Sequence, residues 1–167
     1  MEIRRYRGRG VPSPRLAPTL LASLLVLGIM AAIFWFSAQP ATESADLSAS
    51  FARRLFLFFR PALAVYNDEQ WQALLLATGL YIRKAAHFTE FFALGVSLRL
   101  WFAALGKPRR ALLPAWLLGT LYAATDELHQ MFVDGRGPAL LDVGIDSLGA
   151  LCGAALVALC IVHRRKR

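Results

Sequence analysis

The stretch from Leu16 to Phe36, LAPTLLASLLVLGIMAAIFWF, contains no charged residue. About 20 apolar residues at ~1.5 Å each cover the ~30 Å hydrocarbon layer of a bilayer, so this segment predicts a membrane-crossing helix. Three more apolar stretches follow it. Ala85 to Leu105 is apolar apart from His87, Glu90 and Arg99; Ala111 to about Thr125 is stopped by Asp126-Glu127; Ala139 to Val162 is apolar except for Asp142 and Asp146. The sequence therefore predicts an all-α integral membrane protein with four spans near 16–36, 85–105, 111–127 and 139–162. In a chain of 167 residues that is 57% hydrophobic, these residues are bunched for a bilayer rather than spread for a core.

Cations set the orientation, because cytoplasmic flanks carry an excess of Lys and Arg. Arg4, Arg5, Arg7, Arg9 and Arg15 precede the first span; Lys107, Arg109 and Arg110 lie between the second and third; Arg164, Arg165, Lys166 and Arg167 follow the fourth. With four spans all three groups fall on one side, which predicts cytoplasmic termini. One membrane domain, 16–163, then lies between a basic arm, 1–15, and a basic tail, 164–167. The net charge of +8 reads as a topogenic signal with contact to anionic membrane lipids. It does not read as nucleic-acid binding, for no aromatic-interleaved basic groove accompanies it.

The basic arm resembles the start of a signal peptide, but the apolar run is long for one and bulky Phe36 occupies the −3 position of the candidate site Phe36-Ser37-Ala38, so an uncleaved anchor is expected. Cys152 and Cys160 both fall in the last span, which excludes a disulfide framework and reads as small packing residues. Residues 37–84 are too long for a turn. Within them Leu47, Phe51, Leu55 and Phe58 or Phe59 share one helical face, with Ser48, Arg53, Arg54 and Arg60 around the others, as in a helix lying in the interface plane. Pro61 ends it, and Asp68-Glu69 begins a short helix to about Ile82. This loop is expected to form a lid over the bundle.

An ionisable group at mid-membrane costs ~2.5 to 3.5 kcal/mol on insertion scales, so such groups mark a site. Arg83, His87 and Glu90 follow i, i+4, i+7 spacing, and Ser97 continues the stripe. Tyr122, Asp126, His129 and Gln130 share a face at the end of the third span, with Glu127 turned a quarter-circle away. Arg136, between Gly135 and Gly137, can fold back over the helix ends. Asp142 and Asp146 are four apart, and Gly149 and Gly153 prolong their line as a small-residue stripe on which another helix approaches. One outward-opening pocket is expected, its candidate catalytic groups His87, Glu90, Asp126 and His129 and its ligand-binding groups Arg83, Lys84, Gln130, Arg136, Asp142 and Asp146, with Ser37 and Gln39 beside them.

Three chemistries suit these residues. The cations can hold an anionic head group while a histidine exchanges a proton. Two histidines and several carboxylates can bind a divalent metal, though no HExxH-like spacing specifies one. Or the acids can simply tie the helix ends together through Arg83, Arg136 and the histidines. The residues name no cofactor, and catalysis, metal and oligomeric state stay open.

FSAQP at Phe36 to Pro40, RKAAHFTEFFALG at Arg83 to Gly95 and DELHQMFVDGRGPALLDVGIDSLGALCG at Asp126 to Gly153 resemble the three signature blocks of the VanZ-like family, and the match runs over most of the chain. The resemblance implies a multi-pass protein of the bacterial inner membrane and cell envelope, with a role in tolerance to teicoplanin-type glycopeptides. It also places His87, Glu90, Asp126, Glu127, Gln130, Arg136, Asp142 and Asp146 on family motif positions. Asp134 stands where a Pro is common, and Phe91 where a Tyr is frequent. The expected task is to bind or modify an anionic lipid-linked or peptidyl envelope component at the outer leaflet. The other classes are a small proton-coupled permease or flippase using Glu90 and Asp146, and a non-enzymatic scaffold; polar residues that thin out after Ser97 and Asp146 favour a one-sided site.

Overall fold

A computed structural model describes residues 16–58, 67–107 and 111–164. The cations of the basic arm, Phe59, Arg60 and Pro61, Arg109 and Arg110, and the tail 165–167 lie outside the described residues. Those described form five helices and no strand: α1 (Leu16–Ser37), α2 (Ala41–Phe58), α3 (Asp68–Ala104), α4 (Leu112–Gln130) and α5 (Leu140–Arg164).

By length and apolarity alone, α1 and α5 qualify to cross a membrane, with mean hydropathies of 2.3 and 2.2. The other two expected spans do not meet that test. Arg83, Lys84, Glu90 and Arg99 dilute α3, and α4 ends in Asp126 and Glu127. The bundle surface nevertheless presents large apolar side chains on several helices, among them Leu21 (69% exposed), Trp35 (71%), Leu121 (61%) and Leu159 (68%). A belt of this kind needs an apolar solvent.

The main departure from the expected elements is α3. A short helix from Asp68 to Ile82 and a separate span from Ala85 were expected, but one 37-residue helix runs through both. Nothing between them breaks a helix: Ile82-Arg-Lys-Ala85 contains neither Gly nor Pro. The helix opens on a capping box. Asn67 Oδ1 accepts the Gln70 N–H at 2.9 Å, and Gln70 Oε1 accepts the Asn67 N–H at 3.1 Å. At ~1.5 Å per residue α3 is about 55 Å long, nearly twice a hydrocarbon layer. Its outer third therefore serves a second purpose, as the support for α2.

The α2 helix begins earlier than expected, at Ala41, and packs on that outer extension through its small face: Ala52 is fully buried, and Ser48 and Ala49 lie 3.7 Å from where a Cβ on Gly79 would stand. Its apolar face, Leu47, Phe51, Leu55 and Phe58, stays exposed, as an interface-lying helix requires. Among the described helices α2 meets α3 and not α4 or α5. It is thus a buttress beside the bundle, not the expected lid.

The core forms where α3, α4 and α5 meet. On α4 the buried residues Ala115, Gly119, Ala123, Asp126 and Gln130 recur every three or four positions, so a single stripe changes from small to polar toward the outer end. On α5, Gly149 and Gly153 lie against the backbone of α3. A Cβ on Gly149 would stand 2.5 Å from the Phe88 carbonyl oxygen, and one on Gly153 would overlap that of Phe92. The expected small-residue stripe is therefore a seam of direct backbone approach. Phe91, Leu94 and Leu98 fill the middle, with Val26 and Ile33 from α1 against them. Cys152 is half-buried, but Cys160 faces outward rather than into packing.

Candidate functional site

The C-terminal ends of α1 and α4, the middle of α3, the N-terminal end of α5 and the loop 131–139 gather the ionisable residues. Two pieces of backbone hold this arrangement. The Ala41 N–H donates to the Asp134 carbonyl at 3.0 Å, tying the start of α2 to the loop. In that loop Gly135 adopts φ +72°, which a side chain would resist, so the chain reverses just before Arg136.

From the α4 side, Asp126 enters the chamber with 4% exposure. Its Oδ2 accepts from Ser37 Oγ at 2.7 Å and from Gln130 Nε2 at 3.0 Å, while Gln130 also reaches Ser37 at 3.3 Å. Ser37, the last residue of α1, is thereby a full member of the site. Gln130 orients Asp126 within the protein rather than lining an open binding surface.

Across from it, α3 and α5 supply His87 and Asp146. His87 Nδ1 lies 3.7 Å from Asp146 Oδ2, and Asp146 is 2% exposed. One polar atom from each of His87, Asp126 and Asp146 falls within 4.8 Å of the others. His87 Nδ1, Asp126 Oδ1, Asp146 Oδ1 and Glu90 Oε2 are all buried and find no hydrogen-bond partner among the described residues. Buried polar atoms are seldom left so. Glu90 interacts electrostatically with His87, Asp126, Asp146 and Arg136, which places it in the same chamber.

The remaining candidates sit at the rim or elsewhere. Lys84 forms an ion pair with Asp142 between α3 and α5, and the two line a small recess with Arg83, His87 and Asp146. That pair ties helices together. His129 stacks on Phe34 of α1, ring centroids 4.4 Å apart, with its Nε2 buried and without a hydrogen-bond partner among the described residues; it falls outside the set formed by His87, Asp126 and Asp146. Arg136 folds over the helix ends, with Nε and Nη1 buried and unbonded among the described residues. Burial and then repulsion from Arg83 push its guanidinium below the ordinary arginine range, against the pull of Asp126, Glu127 and Glu90. The charges of Arg83 and Arg136 are thus near enough to act on each other.

Glu127, turned a quarter-circle from the Asp126 face, is buried at 6% exposure. Its Oε1 accepts the Ala139 N–H at 2.5 Å, satisfying a backbone donor just before α5. Arg99, two residues beyond Ser97, is also buried, an ionisable group of the inner half that the one-sided picture leaves out.

Below this level the bundle is apolar and incomplete. α1 and α4 barely touch, and a cleft of about 510 Å³ opens between them over α3, lined by Val26, Leu27, Leu94, Leu98, Leu118 and Leu121. Met30, Tyr122 and Thr125 line its outer end, where the Tyr122 hydroxyl donates to the Met30 carbonyl at 2.7 Å. Asp126 follows Thr125 on α4, and its hydrogen bond to Ser37 joins α1 to α4 at that end of the cleft.

This is a helical membrane protein with a buried polar chamber, and the chain belongs to the VanZ/LLP1 family, whose model matches residues 22–161. It is a VanZ-like envelope protein. Comparison with curated proteins gave no match, and comparison with solved structures gave none.

Proposed function

We propose that the protein crosses the bacterial inner membrane four times, with both termini cytoplasmic, and binds the anionic head group of a lipid-linked envelope component at the outer leaflet. The observation that carries this reading is Arg136, whose Nε and Nη1 are buried with no hydrogen-bond partner among the described residues, within electrostatic reach of Arg83. A buried guanidinium without a partner is what a phosphate or carboxylate would satisfy. The apolar cleft supports a lipid-linked ligand over a peptidyl one, since an acyl chain can lie between α1 and α4 while its head group meets the arginines. Such a protein would act on glycopeptide tolerance by withholding or presenting a lipid-linked wall or membrane component. The exposed apolar face of α2 supports its lying along the outer interface beside that entrance.

The experiment is purification in detergent followed by mass spectrometry of bound lipids, together with reporter fusions at Pro108 and Gly135. We expect an anionic lipid on the wild-type protein, its loss in Arg136→Lys, and retention in Arg53→Ala. A lysine cannot reproduce the planar fork. An Arg136→Lys variant with wild-type lipid content would remove the clamp and leave the scaffold reading. A Pro108 reporter on the outer side would remove the topology.

A further inference from the structure

The chamber holds more acid than base. With every carboxylate ionised, Glu90, Asp126, Glu127, Asp142 and Asp146 face Arg83, Lys84 and Arg136, leaving an excess of two negative charges that a neutral His87 does not offset. Buried charge uncompensated to this degree is costly. The unbonded atoms show where the imbalance is concentrated. Asp126 and Asp146 are each more than nine-tenths buried, each has an Oδ1 without a partner among the described residues, and each brings a carboxylate oxygen within 4.8 Å of a His87 ring nitrogen.

We infer that His87, Asp126 and Asp146 form a binding site for one divalent first-row cation, of the Mn²⁺ or Zn²⁺ type. One imidazole nitrogen with carboxylate oxygens is a donor set for such ions. Donors at ~2.0 to 2.2 Å from one ion lie about 3 to 4.2 Å apart, so atoms within 4.8 Å of one another close on a cation with side-chain shifts on the order of 1 Å or less. The outer shell is already built. Ser37 and Gln130 hold Asp126 Oδ2 and leave Oδ1 buried and free of a partner among the described residues, as hydrogen bonds to the other atom of a ligand commonly do. Glu90 Oε2, one turn beyond His87, is buried and unpartnered among the described residues but falls outside this three-residue set. His129, stacked on Phe34, takes no part, so the set contains one histidine.

A cation here would cancel the excess charge. The anionic group proposed above would then meet a guanidinium group and a metal. Only that last step rests on the head-group reading; the metal site stands on its own donors. The two are separated by measuring metal without lipid. The chelator-treated protein in detergent is titrated with Mn²⁺ and followed by electron paramagnetic resonance, and metal content after purification is read by elemental mass spectrometry. We expect one ion per chain, loss of binding by at least about tenfold in His87→Ala, Asp126→Asn and Asp146→Asn, and a smaller weakening in Ser37→Ala. Size-exclusion elution and helical circular dichroism identify any variant that fails to fold; His87→Gln, which keeps the volume of the side chain, then takes its place. Arg136→Lys should keep the metal while losing anionic lipid. Folded wild-type protein that binds neither Mn²⁺ nor Zn²⁺, or ions bound equally well by His87→Ala and Asp146→Asn, would overturn the inference and leave the anion clamp standing.

Discussion

The bundle has two kinds of helix contact, and they are opposites. Along the α3–α5 seam, backbone meets backbone: Gly149 and Gly153 leave no room for a Cβ beside Phe88 and Phe92. Between α1 and α4 there is a cleft of about 510 Å³, and two hydrogen bonds, Ser37 to Asp126 and Tyr122 to the Met30 carbonyl, link the two helices. In a bilayer apolar area alone does not drive helices together, because lipid tails are as apolar as leucine. Close packing must hold the first interface, and a few hydrogen bonds must hold the second. His87 and Asp146 are carried by the packed seam, while Asp126 reaches them from α4 under the grip of Ser37. The chamber thus joins a fixed wall to one whose position depends on individual polar contacts.

The largest expected effect comes from breaking the seam. Gly153→Leu has no low-energy solution, since its first side-chain atom overlaps the Phe92 carbonyl and both neighbours are backbone. We expect destabilisation on the order of 3 kcal/mol or more, or failure to insert stably. Gly28, by contrast, has nothing within 4 Å of its Cβ position, so Gly28→Ala should be close to neutral. Thermal unfolding in detergent compares the two. Equal stabilities for Gly153→Leu and wild type would mean that α3 and α5 do not approach as closely as described.

Next in size is the polar latch. Ser37→Ala removes one of the two hydrogen bonds to a nearly buried carboxylate, and bonds to charged groups contribute ~1.5 to 3 kcal/mol. We expect a drop in that range, with α1 freed at its outer end so that a cysteine placed at Phe34 reacts faster with a membrane-impermeant reagent. Tyr122→Phe should cost less, ~0.5 to 1.5 kcal/mol, because a neutral hydroxyl-to-carbonyl bond is lost and the Met30 carbonyl retains its place in the helix. A larger loss for Tyr122→Phe than for Ser37→Ala would place the main fastening lower, within the cleft.

What was legible in the sequence divides along the same line. The seam could be read because Asp142, Asp146, Gly149 and Gly153 repeat at helical spacing, and a stripe of acids and glycines in an apolar helix has few places to face. The cleft could not be read: α1 is apolar on every side, so no periodicity distinguishes the residues that pack, Val26 and Ile33, from Leu24 or Leu27. The burial of Glu127 could not be read because its partner, the Ala139 N–H, is set by the path of a loop rather than by an angle on α4. The continuity of α3 was missed because Arg83 and Lys84 mark where the apolar layer ends, which is not where a helix must end. His129 and His87 looked equivalent as residue types, and only the position of α1, which puts Phe34 against one of them, separates them.

The smallest expected change in stability carries the sharpest test of the open interface. Leu118 lines the cleft from α4 and is 41% exposed, so Leu118→Trp has space to extend into the gap without displacing backbone. Substitutions at such partly exposed positions usually stay within ~0.5 kcal/mol, and filling an apolar gap offsets what the larger ring costs. If the cleft is merely a shallow groove in the bundle surface, the variant should unfold like wild type and carry the same lipids. If it seats an acyl chain whose head group lies at Arg83 and Arg136, the indole occupies that seat, and bound lipid should fall severalfold with unfolding unchanged. Because Leu118 lies about two turns below Asp126, metal binding should be untouched. Loss of lipid with metal retained would show the cleft and the chamber acting on different parts of one ligand; full lipid retention would detach the cleft from the site.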